Sequence, residues 1–279
     1  MWLYPNTQNP ASKCNWVMES LLKGIPGAKM VTKREYTGEP SMFWGFIENN
    51  REIIQQHIDE GVTWYFWDMP YFHRYSKFEP DKKFYWRVSK NSIHNTFVNC
   101  FHAGEDKTRR QEMGIEAQEP SYHIHGDILI ASSSNYITQY LEGISEEEWI
   151  TKSILRIEPH TNKKIRIRRK PRNQTTSGPD AVGPGPTLQE DLDGVSIVYT
   201  LASNVAVDAL LARKVVYTGP VSSAVYCSHD PSDSFIKYID CEDPYPLAVI
   251  NDHINLLANR QFTHEEIESG VAWQIIKSL

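Results

Sequence analysis

The sequence predicts an α/β protein, and three segments carry this prediction. Residues 50–67 follow a helix, glycine, strand pattern, residues 127–131 (DILIA) form a short apolar run typical of a buried parallel strand, and residues 193–224 alternate strand, turn, helix and strand. Alternation of strands with helices is typical of a parallel sheet covered by helices. A chain of 279 residues accommodates two domains of about 100–150 residues each.

The first half is rich in aromatic residues, and its predicted elements alternate in type. We predict strands at 1–4, from 29–31 and at 62–67, and helices at 15–22 and 50–60. The helix at 15–22 ends near Gly24, and Gly61 ends the helix at 50–60, where its apolar residues Ile53, Ile54 and Ile58 share one face. The strand at 62–67 (VTWYFW) is β-branched and aromatic throughout.

The second half repeats the alternation. We predict strands at 127–131, 164–168, 196–199 and 214–218, and helices at 136–141, 146–154, 204–212 and 263–278. Thr187 with Glu190, and Thr263 with Glu266, are capping-box patterns that open helices. Residues 173–186 are rich in Gly and Pro and are predicted to form a loop.

The polar segment around 105–126 is the predicted linker between the two domains. We therefore expect a first domain at 1–115, a second at 116–260, and a C-terminal helix at 261–279 that packs back on the first.

Charge and composition exclude several classes of protein. No apolar run approaches the roughly 20 residues of a membrane span, and the first residues lack the pattern of a secretory signal. The four cysteines form no CxxC pair and are predicted to be free thiols in a cytoplasmic protein.

The net charge is −6, but its distribution along the chain is uneven. Residues 152–173 hold nine Lys and Arg against one acid, so this basic window is +8 and the remainder of the chain is −14. A localised basic window can bind a polyanion although the whole chain is acidic.

The segment 193–224 carries the strongest candidate site. Its turn places Ser203 and Asn204 at the start of a helix, where backbone N–H groups and the helix dipole attract an anion. Asp208, one turn further on, could accept hydrogen bonds from a ribose. The alternative is an ordinary β-α-β unit in which Ser203 or Asn204 only caps the helix.

This stretch resembles the nucleotide-sugar-binding half of GT-B glycosyltransferases, and is most similar to the capsule-polysaccharide and Kdo-transferase-like group. The shared features are the Ser-Asn turn, the acid in the helix, and Ala-Leu-Leu followed by Lys and Val; Asp208 stands where Glu is commoner, and Arg213 where Gly is usual. The resemblance implies a GT-B-like fold of two Rossmann-like domains facing a cleft, with a nucleotide-sugar of the UDP or CMP type as co-substrate and no required cofactor. It also implies that basic side chains join Ser203, Asn204 and Asp208 in holding the donor.

Residues 64–74 (WYFWDMPYFHR) and 85–91 (YWRVSKN) are similar to a set of phage-encoded proteins, as is the C-terminal stretch with Leu257-Ala258, Gln261-Phe262-Thr263, Glu266 and Ser269-Gly270. This resemblance implies a viral setting, and DNA as one partner. It does not imply a reaction.

The predicted catalytic residues lie at and after the aromatic strand. Asp68 ends that strand, and a carboxylate among aromatic residues can accept a proton from an acceptor hydroxyl. His73 and His94 are the reserve bases. The structural alternative for Asp68 is a cap, or an ion pair with Arg74 or Arg87. The predicted acceptor-binding residues are Trp64, Tyr71, Arg74, Trp86 and Arg87, with Trp67 as a further stacking candidate.

The basic strand offers phosphate ligands. Arg166, Arg168 and Lys170 share one face and could bind the donor diphosphate, while Arg169 and Arg172 could meet a polyanionic acceptor. The alternative is an edge strand protected by charge. His123, His125 and Asp127 could also hold a metal ion, although three such residues close in sequence are weak evidence. Asp191 and Asp193 resemble the metal-binding Asp-x-Asp of other glycosyltransferases, but lie at a predicted helix end.

Three functions follow as hypotheses. The first is a glycosyltransferase that modifies a hydroxymethylpyrimidine in phage DNA, because the viral resemblance and the basic window favour DNA. The second is a glycosyltransferase acting on surface or capsule polysaccharide, which the capsule-type resemblance favours. The third is a non-catalytic nucleic-acid-binding protein that uses the basic strand and the aromatic residues.

Overall fold

A computed structural model describes residues 1–9, 12–74, 83–94, 106–118, 125–169 and 187–278 of the chain. The chain divides into two compact units, which we call unit 1 (residues 1–113 and 255–279) and unit 2 (residues 114–254).

Unit 1 is built on a mixed sheet. Within its described residues the sheet has six strands, in the order β10-β5-β4-β3-β1-β2. The strands are β1 (Trp2–Tyr4), β2 (Lys29–Met30), β3 (Ser41–Trp44), β4 (Trp64–Asp68), β5 (Tyr85–Lys90) and β10 (Gln261–Thr263). The first four are parallel, β5 runs antiparallel to β4, and β10 runs antiparallel to β5.

The helices of unit 1 cover this sheet. They are α1 (Lys13–Gly24), α2 (Asn50–Asp59), α3 (Thr108–Glu112), α10 (His264–Glu268) and α11 (Val271–Ile276). One core cluster joins Val17, Met18 and Leu21 of α1 to Trp67 of β4 and Phe262 of β10. The predicted strand at 62–67 is therefore confirmed as β4, with its four aromatic residues buried.

The predicted C-terminal helix at 263–278 is wrong in its bounds. Residues Gln261–Thr263 form a strand, and the helical part is broken into α10 and α11. Gly270 causes the break: its φ of 83° lies in the left-handed region, and an added Cβ would meet the carbonyl oxygen of Gly24. The capping box of Thr263 with Glu266 is confirmed.

Unit 2 is built on a parallel sheet. Within its described residues the sheet has four strands in the order β7-β6-β8-β9, every neighbouring pair parallel. The strands are β6 (Asp127–Ala131), β7 (Ile165–Arg168), β8 (Val195–Thr200) and β9 (Val215–Thr218). The helices are α4 (Asn135–Glu142), α5 (Glu146–Ile157), α6 (Leu188–Leu192), α7 (Val205–Leu211) and α8 (Asp233–Ile236), and α9 (Leu247–Ala258) spans the boundary at 254/255.

The four strands predicted for the second half are confirmed. Ile128, Ile130 and Ile197 point to the same core as Trp149 and Ile150 of α5. The capping box of Thr187 with Glu190 is also confirmed. Arg213 has a φ of 56°, and this left-handed conformation explains why glycine suits the position. No helix among the described residues is long and apolar enough to cross a membrane.

Candidate functional site

The strand order of unit 2 creates a switch point between β6 and β8. The chain leaves β6 through α4 and α5 towards β7 on one side, and leaves β8 through α7 towards β9 on the other. Loops that leave neighbouring parallel strands in opposite directions open a crevice at the carboxyl ends of those strands, where α/β proteins bind ligands. We call this place the donor edge, after the donor-binding role predicted for Ser203 and Asn204: residues 132–134 after β6, 201–204 after β8 and 219–223 after β9.

The loop after β6 is a run of three serines. The Ser132 hydroxyl donates to a carboxylate oxygen of Glu146 at 2.6 Å, and its N–H donates to the Arg168 carbonyl at 2.9 Å. The Ser133 hydroxyl accepts the N–H of Ala202 at 3.1 Å, which joins this loop to the one after β8. Ser134 is the N-cap of α4. These serines were not among the predicted site residues, although a serine run directly after a buried parallel strand is itself a signal.

The loop after β8 contains the predicted Ser203 and Asn204. The N–H of Ser203 donates to the Thr200 hydroxyl at 3.3 Å, and the Ser203 hydroxyl accepts the N–H of Val205 at 3.4 Å. Asn204 occupies the N-cap position of α7 without a side-chain cap bond. The Ser203 carbonyl accepts the N–H of Ala206 at 3.0 Å, so part of the first turn is satisfied within the loop. Both predicted residues are partly accessible and lie at the donor edge.

The loop after β9 closes tightly on β8. The N–H of Gly219 donates to the Leu201 carbonyl at 3.0 Å, and an added Cβ at Gly219 would lie 2.9 Å from that oxygen. Ser222 and Ser223 follow and are fully buried. The ring of His253 in α9 donates from Nε2 to the Ser223 carbonyl at 2.6 Å, and this hydrogen bond joins the loop to α9.

Arg166 faces away from the donor edge. Its side chain contacts Asp127 at 3.1 Å and donates to the Asp193 carbonyl at 2.7 Å. Asp127 opens β6, and Asp193 precedes β8, so Arg166 reaches towards the amino ends of the strands. The structure therefore separates Arg166 from Ser203 and Asn204. The Arg166 side chain extends towards the amino ends of the strands, whereas Ser203 and Asn204 follow the carboxyl end of β8.

Arg168 lies at the carboxyl end of β7 and forms an ion pair with Asp191 of α6. Burial lowers the pKa of Arg168, and the nearby Asp208 carboxylate opposes this effect. Asp208 and Arg168 therefore share one neighbourhood beside α7. Lys170 and Arg172 lie outside the described residues.

The basic window is largely neutralised by acids from elsewhere in unit 2. Seven of its nine cations lie within the described residues, and five of these contact a carboxylate. The pairs are Lys152 with Glu148, Arg156 with Asp233, Arg166 with Asp127, Arg168 with Asp191, and Arg169 with Glu147. All five acids lie outside the window, so the local sequence overstates its positive charge.

Asp68 of unit 1 is engaged at both carboxylate oxygens. Oδ1 accepts the N–H of Met69 at 2.8 Å, and Oδ2 accepts a guanidinium N–H of Arg87 at 2.9 Å. The Arg87 side chain is 2% exposed and that of Asp68 is 35% exposed. Arg87 also donates to the Ile93 carbonyl at 2.7 Å and lies over the ring of Tyr71. This geometry is the structural ion pair that was the alternative for Asp68, and it buries Arg87 away from any acceptor.

His73 follows β4 in a left-handed backbone conformation, with φ of 54°. Burial lowers the pKa of His73, while a hydrogen bond with the backbone of Met113 acts in the opposite direction. The imidazole is therefore neutral at pH 7 and able to accept a proton. Arg74 is partly accessible beside it, and His94 is buried.

The predicted aromatic acceptor contacts lie in the core. Trp64 is 2% exposed, and Tyr71 and Trp86 are 0% exposed. Stacking on a base or sugar requires an accessible ring face, so the structure gives these three residues a packing role. Tyr136, which was not among the predicted site residues, is an aromatic residue with 70% exposure in the first turn of α4, after the serine run.

Of the three residues of the metal hypothesis, His123 lies outside the described part of the chain, and Asp127 pairs with Arg166. Among residues 1–9, 12–74, 83–94, 106–118, 125–169 and 187–278, no group of three or more His, Cys, Asp or Glu side chains is placed to hold a metal ion. Asp191 of the Asp-x-Asp pattern is the partner of Arg168.

Comparison with known proteins gives matches in structure alone. No protein-family model matches the chain, and no curated protein matches its sequence. The solved structure of KpsC, beta Kdo 2,7 transferase, from Thermosulfurimonas dismutans has a TM-score of 0.50 and 12% identity, and covers 98% of this chain and 99% of that one. KpsC, beta Kdo 2,4 transferase, from the same organism has a TM-score of 0.49 and 10% identity, and covers 90% of this chain and 89% of that one. The mixed α/β architecture with parallel sheets and the first of these matches fit the predicted GT-B-like fold.

Proposed function

We propose that this protein is a glycosyltransferase that moves a sugar from a nucleotide-sugar to a hydroxyl of a saccharide acceptor. The observation that carries the proposal is the donor edge of unit 2, where hydroxyl-bearing loops meet at the switch point of a parallel sheet. The GT-B-like fold supports it, because the solved structure that matches with a TM-score of 0.50 is described as a transferase.

The donor in this proposal is a UDP- or CMP-sugar whose phosphate lies over the loops of residues 132–134 and 201–204. Ser134 and Ser203 are partly accessible there and offer hydroxyl donors, and Asn204 offers an amide. Asp208 and Arg168 lie on the α7 side, where the carboxylate can accept a ribose hydroxyl. Hydrogen bonds from preorganised donors to a phosphate oxygen stabilise the leaving group as its charge develops.

His73 is the general base in this proposal, because its imidazole is partly accessible and burial lowers its pKa. A neutral imidazole can take the proton that the acceptor hydroxyl loses as it attacks the sugar. Asp68 already accepts from Met69 and Arg87, so its carboxylate is occupied in a structural ion pair.

We favour a saccharide over a hydroxymethylpyrimidine as the acceptor. Besides the viral resemblance, the DNA hypothesis depends on the basic window and on stacking by Trp64, Tyr71 and Trp86. Five cations of that window are paired, and the three rings are buried. The solved structure that matches with a TM-score of 0.50 is described as a Kdo transferase, which favours the surface-polysaccharide hypothesis over the DNA hypothesis.

The experiment is a transfer assay with a panel of UDP- and CMP-sugars, with and without a chelator. The acceptors are capsule-type oligosaccharides, hydroxymethylated DNA and plain DNA. We expect labelled sugar on an oligosaccharide and on neither DNA. Transfer to hydroxymethylated DNA alone would contradict the saccharide acceptor, and no turnover of any donor, with salt-sensitive DNA binding, would contradict the enzyme itself.

Variants then test the residues. Ser203→Ala and Ser134→Ala should lower kcat/KM for the donor at least tenfold each, since a hydrogen bond to a charged group contributes about 1.5–3 kcal/mol. Ser196→Ala is the matched control, because that hydroxyl donates to the Gly126 carbonyl at 2.8 Å at the opposite end of β8. His73→Asn should lower kcat with little change in KM, whereas exposed His160→Asn should change neither.

A further inference from the structure

Unit 1 has a switch point of its own between β1 and β3. Its four parallel strands follow the order β2-β1-β3-β4, which is the same arrangement as β7-β6-β8-β9 in unit 2. The chain leaves β1 through α1 towards β2 on one side, and leaves β3 through α2 towards β4 on the other. Residues 5–9 follow β1 and residues 45–49 follow β3, so these two loops meet where a ligand crevice is expected.

A carboxylate of the chain itself is bound at this place. Glu48 accepts the backbone N–H groups of Thr7 at 2.7 Å and of Gln8 at 3.1 Å. It also accepts the Thr7 hydroxyl at 3.0 Å and lies 2.7 Å from Nε of Arg34. Successive backbone N–H groups with a hydroxyl and a guanidinium are the donors that proteins use to bind oxyanions. We call Thr7, Gln8 and Arg34 the oxyanion nest.

The nest is held by contacts that do not involve Glu48. Oδ1 of Asn6 accepts the N–H of Gln8 at 3.0 Å and that of Asn9 at 2.8 Å. Asn15 in α1 accepts the N–H of Asn6 at 2.7 Å and donates back to its carbonyl at 2.9 Å.

Arg34 is fixed independently as well. Its guanidinium donates to the Pro5 carbonyl and to Oδ1 of buried Asn50, and its Nε donates to Oδ1 of Asn49 at 3.0 Å. The donors therefore stay in position when the carboxylate leaves, as a binding site requires.

Glu48 is held in a strained conformation. Its φ of 47° lies in the left-handed region, which costs a non-glycine residue about 1–2 kcal/mol. Its side chain is 8% exposed, while Thr7 and Gln8 are exposed at the surface. Burial would raise the pKa of Glu48, but the bonds from Gln8 and Thr7 and the charge of Arg34 outweigh it and lower that pKa. The group is thus an anion at neutral pH, and it lies beneath two exposed residues and beside a guanidinium whose side chain is 9% exposed.

We propose that the oxyanion nest is a binding site for the anionic group of an acceptor, a carboxylate or a phosphate, and that Glu48 is its resting occupant. The incoming group replaces Glu48 at the N–H groups of Thr7 and Gln8 and beside the Arg34 guanidinium, and the Glu48 side chain turns outward. The description of the ligand as an acceptor rests on the proposed function, whereas the site itself does not. The nest would thus select acidic over neutral acceptors.

Direct binding tests the site without any transfer activity. Calorimetry and amide NMR compare wild-type protein with Glu48→Gln, using glucuronate, glucose 6-phosphate and neutral glucose as probes. Glu60→Gln is the matched control, because Glu60 is an exposed carboxylate of unit 1 that accepts from Tyr36 at 3.0 Å. Glucuronate distinguishes a carboxylate ligand, and glucose 6-phosphate distinguishes a phosphate ligand.

We expect one of the two anions to shift the amide signals of Thr7 and Gln8 in the wild type, and to bind Glu48→Gln at least tenfold more tightly. Glucose should do neither, and Glu60→Gln should behave as the wild type. The proposal is overturned if neither anion shifts those amides, or if wild-type protein and Glu48→Gln bind the anion equally. Should Glu48→Gln fail to fold, the wild-type amide shifts alone decide.

The two proposals fail separately. Anion binding at the nest without sugar transfer would contradict the glycosyltransferase proposal but would support the oxyanion nest as a binding site. Sugar transfer at equal rates to acidic and neutral acceptors, without amide shifts at Thr7 and Gln8, would contradict anion binding at the nest. It would still support the glycosyltransferase proposal.

Discussion

His253 should make the protein less stable as the pH falls from 7 to 5. Its side chain is 3% exposed, and Nε2 donates to the Ser223 carbonyl at 2.6 Å. Burial lowers the pKa of His253 to about 4, although the bond to Ser223 acts in the opposite direction. An unperturbed histidine has a pKa of about 6.5. Below that pH the unfolded chain binds a proton at His253, whereas the folded chain does not bind it until the pH approaches 4. The contribution of neutral His253 to the free energy of unfolding is therefore present above about pH 6.5 and is lost progressively towards pH 4.

The size of the loss follows from the two pKa values. A difference between about 6.5 and about 4 corresponds to about 3 kcal/mol when fully expressed. Between pH 7 and pH 5 the same two values give about 2 kcal/mol. Against a total stability of about 5–15 kcal/mol for a typical protein, this loss is readily measured.

The assay is urea unfolding at pH 7, 6 and 5 for wild-type protein and His253→Gln. The amide of Gln can still donate to Ser223 but does not titrate, and Glu48 and Glu266 contribute equally in both proteins. We expect the wild type to lose about 2 kcal/mol more than the variant between pH 7 and pH 5. Parallel losses in the two proteins would refute the assignment.

Two substitutions test the site's framework. Asp68→Asn should lower the free energy of unfolding by about 1–3 kcal/mol in urea, because it leaves the buried Arg87 without a counter-charge while Asp68 itself is 35% exposed. The double variant Asp68→Asn with Arg87→Met should recover part of this loss. Equal stability of wild type and Asp68→Asn would contradict the ion pair. Gly219→Ala should lower the free energy of unfolding by about 1–3 kcal/mol, because the added Cβ would lie 2.9 Å from the Leu201 carbonyl oxygen. An unchanged unfolding midpoint would contradict this close approach.

The parts of the fold that were predictable carry a strong local pattern. The segment from 193 to 224 alternates apolar runs with a helical repeat, and β8, α7 and β9 follow it closely. Residues 62–67 are apolar and β-branched or aromatic, which suits a strand buried on both faces, and β4 is such a strand. The C-terminal prediction failed at Gly270, because a single glycine in an otherwise helical pattern does not reveal that its backbone must turn left-handed.

The site was less predictable because its determinants are distant in sequence. An aromatic strand looks the same whether its rings meet a ligand or a core, and Trp86 packs edge-on against Trp16 and Trp44. The partners of Arg166 and Arg168 are Asp127 and Asp191, which lie 39 and 23 residues away along the chain.

The serines after β6 illustrate the same limit. Only the strand order shows that Ser133 meets the loop after β8, since its partner Ala202 is 69 residues away. The hydroxyl run was visible in the sequence, but its place at the switch point depends on β7 lying outside β6.

The most direct test of the account is to map where a nucleotide binds. Amide NMR with UDP and CMP should shift signals of residues 132–134 and 201–204 at the donor edge, and leave Asp127 and Gly194 at the opposite end of the sheet unchanged. Shifts confined to the amino ends of the strands, or no shift with either nucleotide, would contradict a donor site at the carboxyl edge of unit 2.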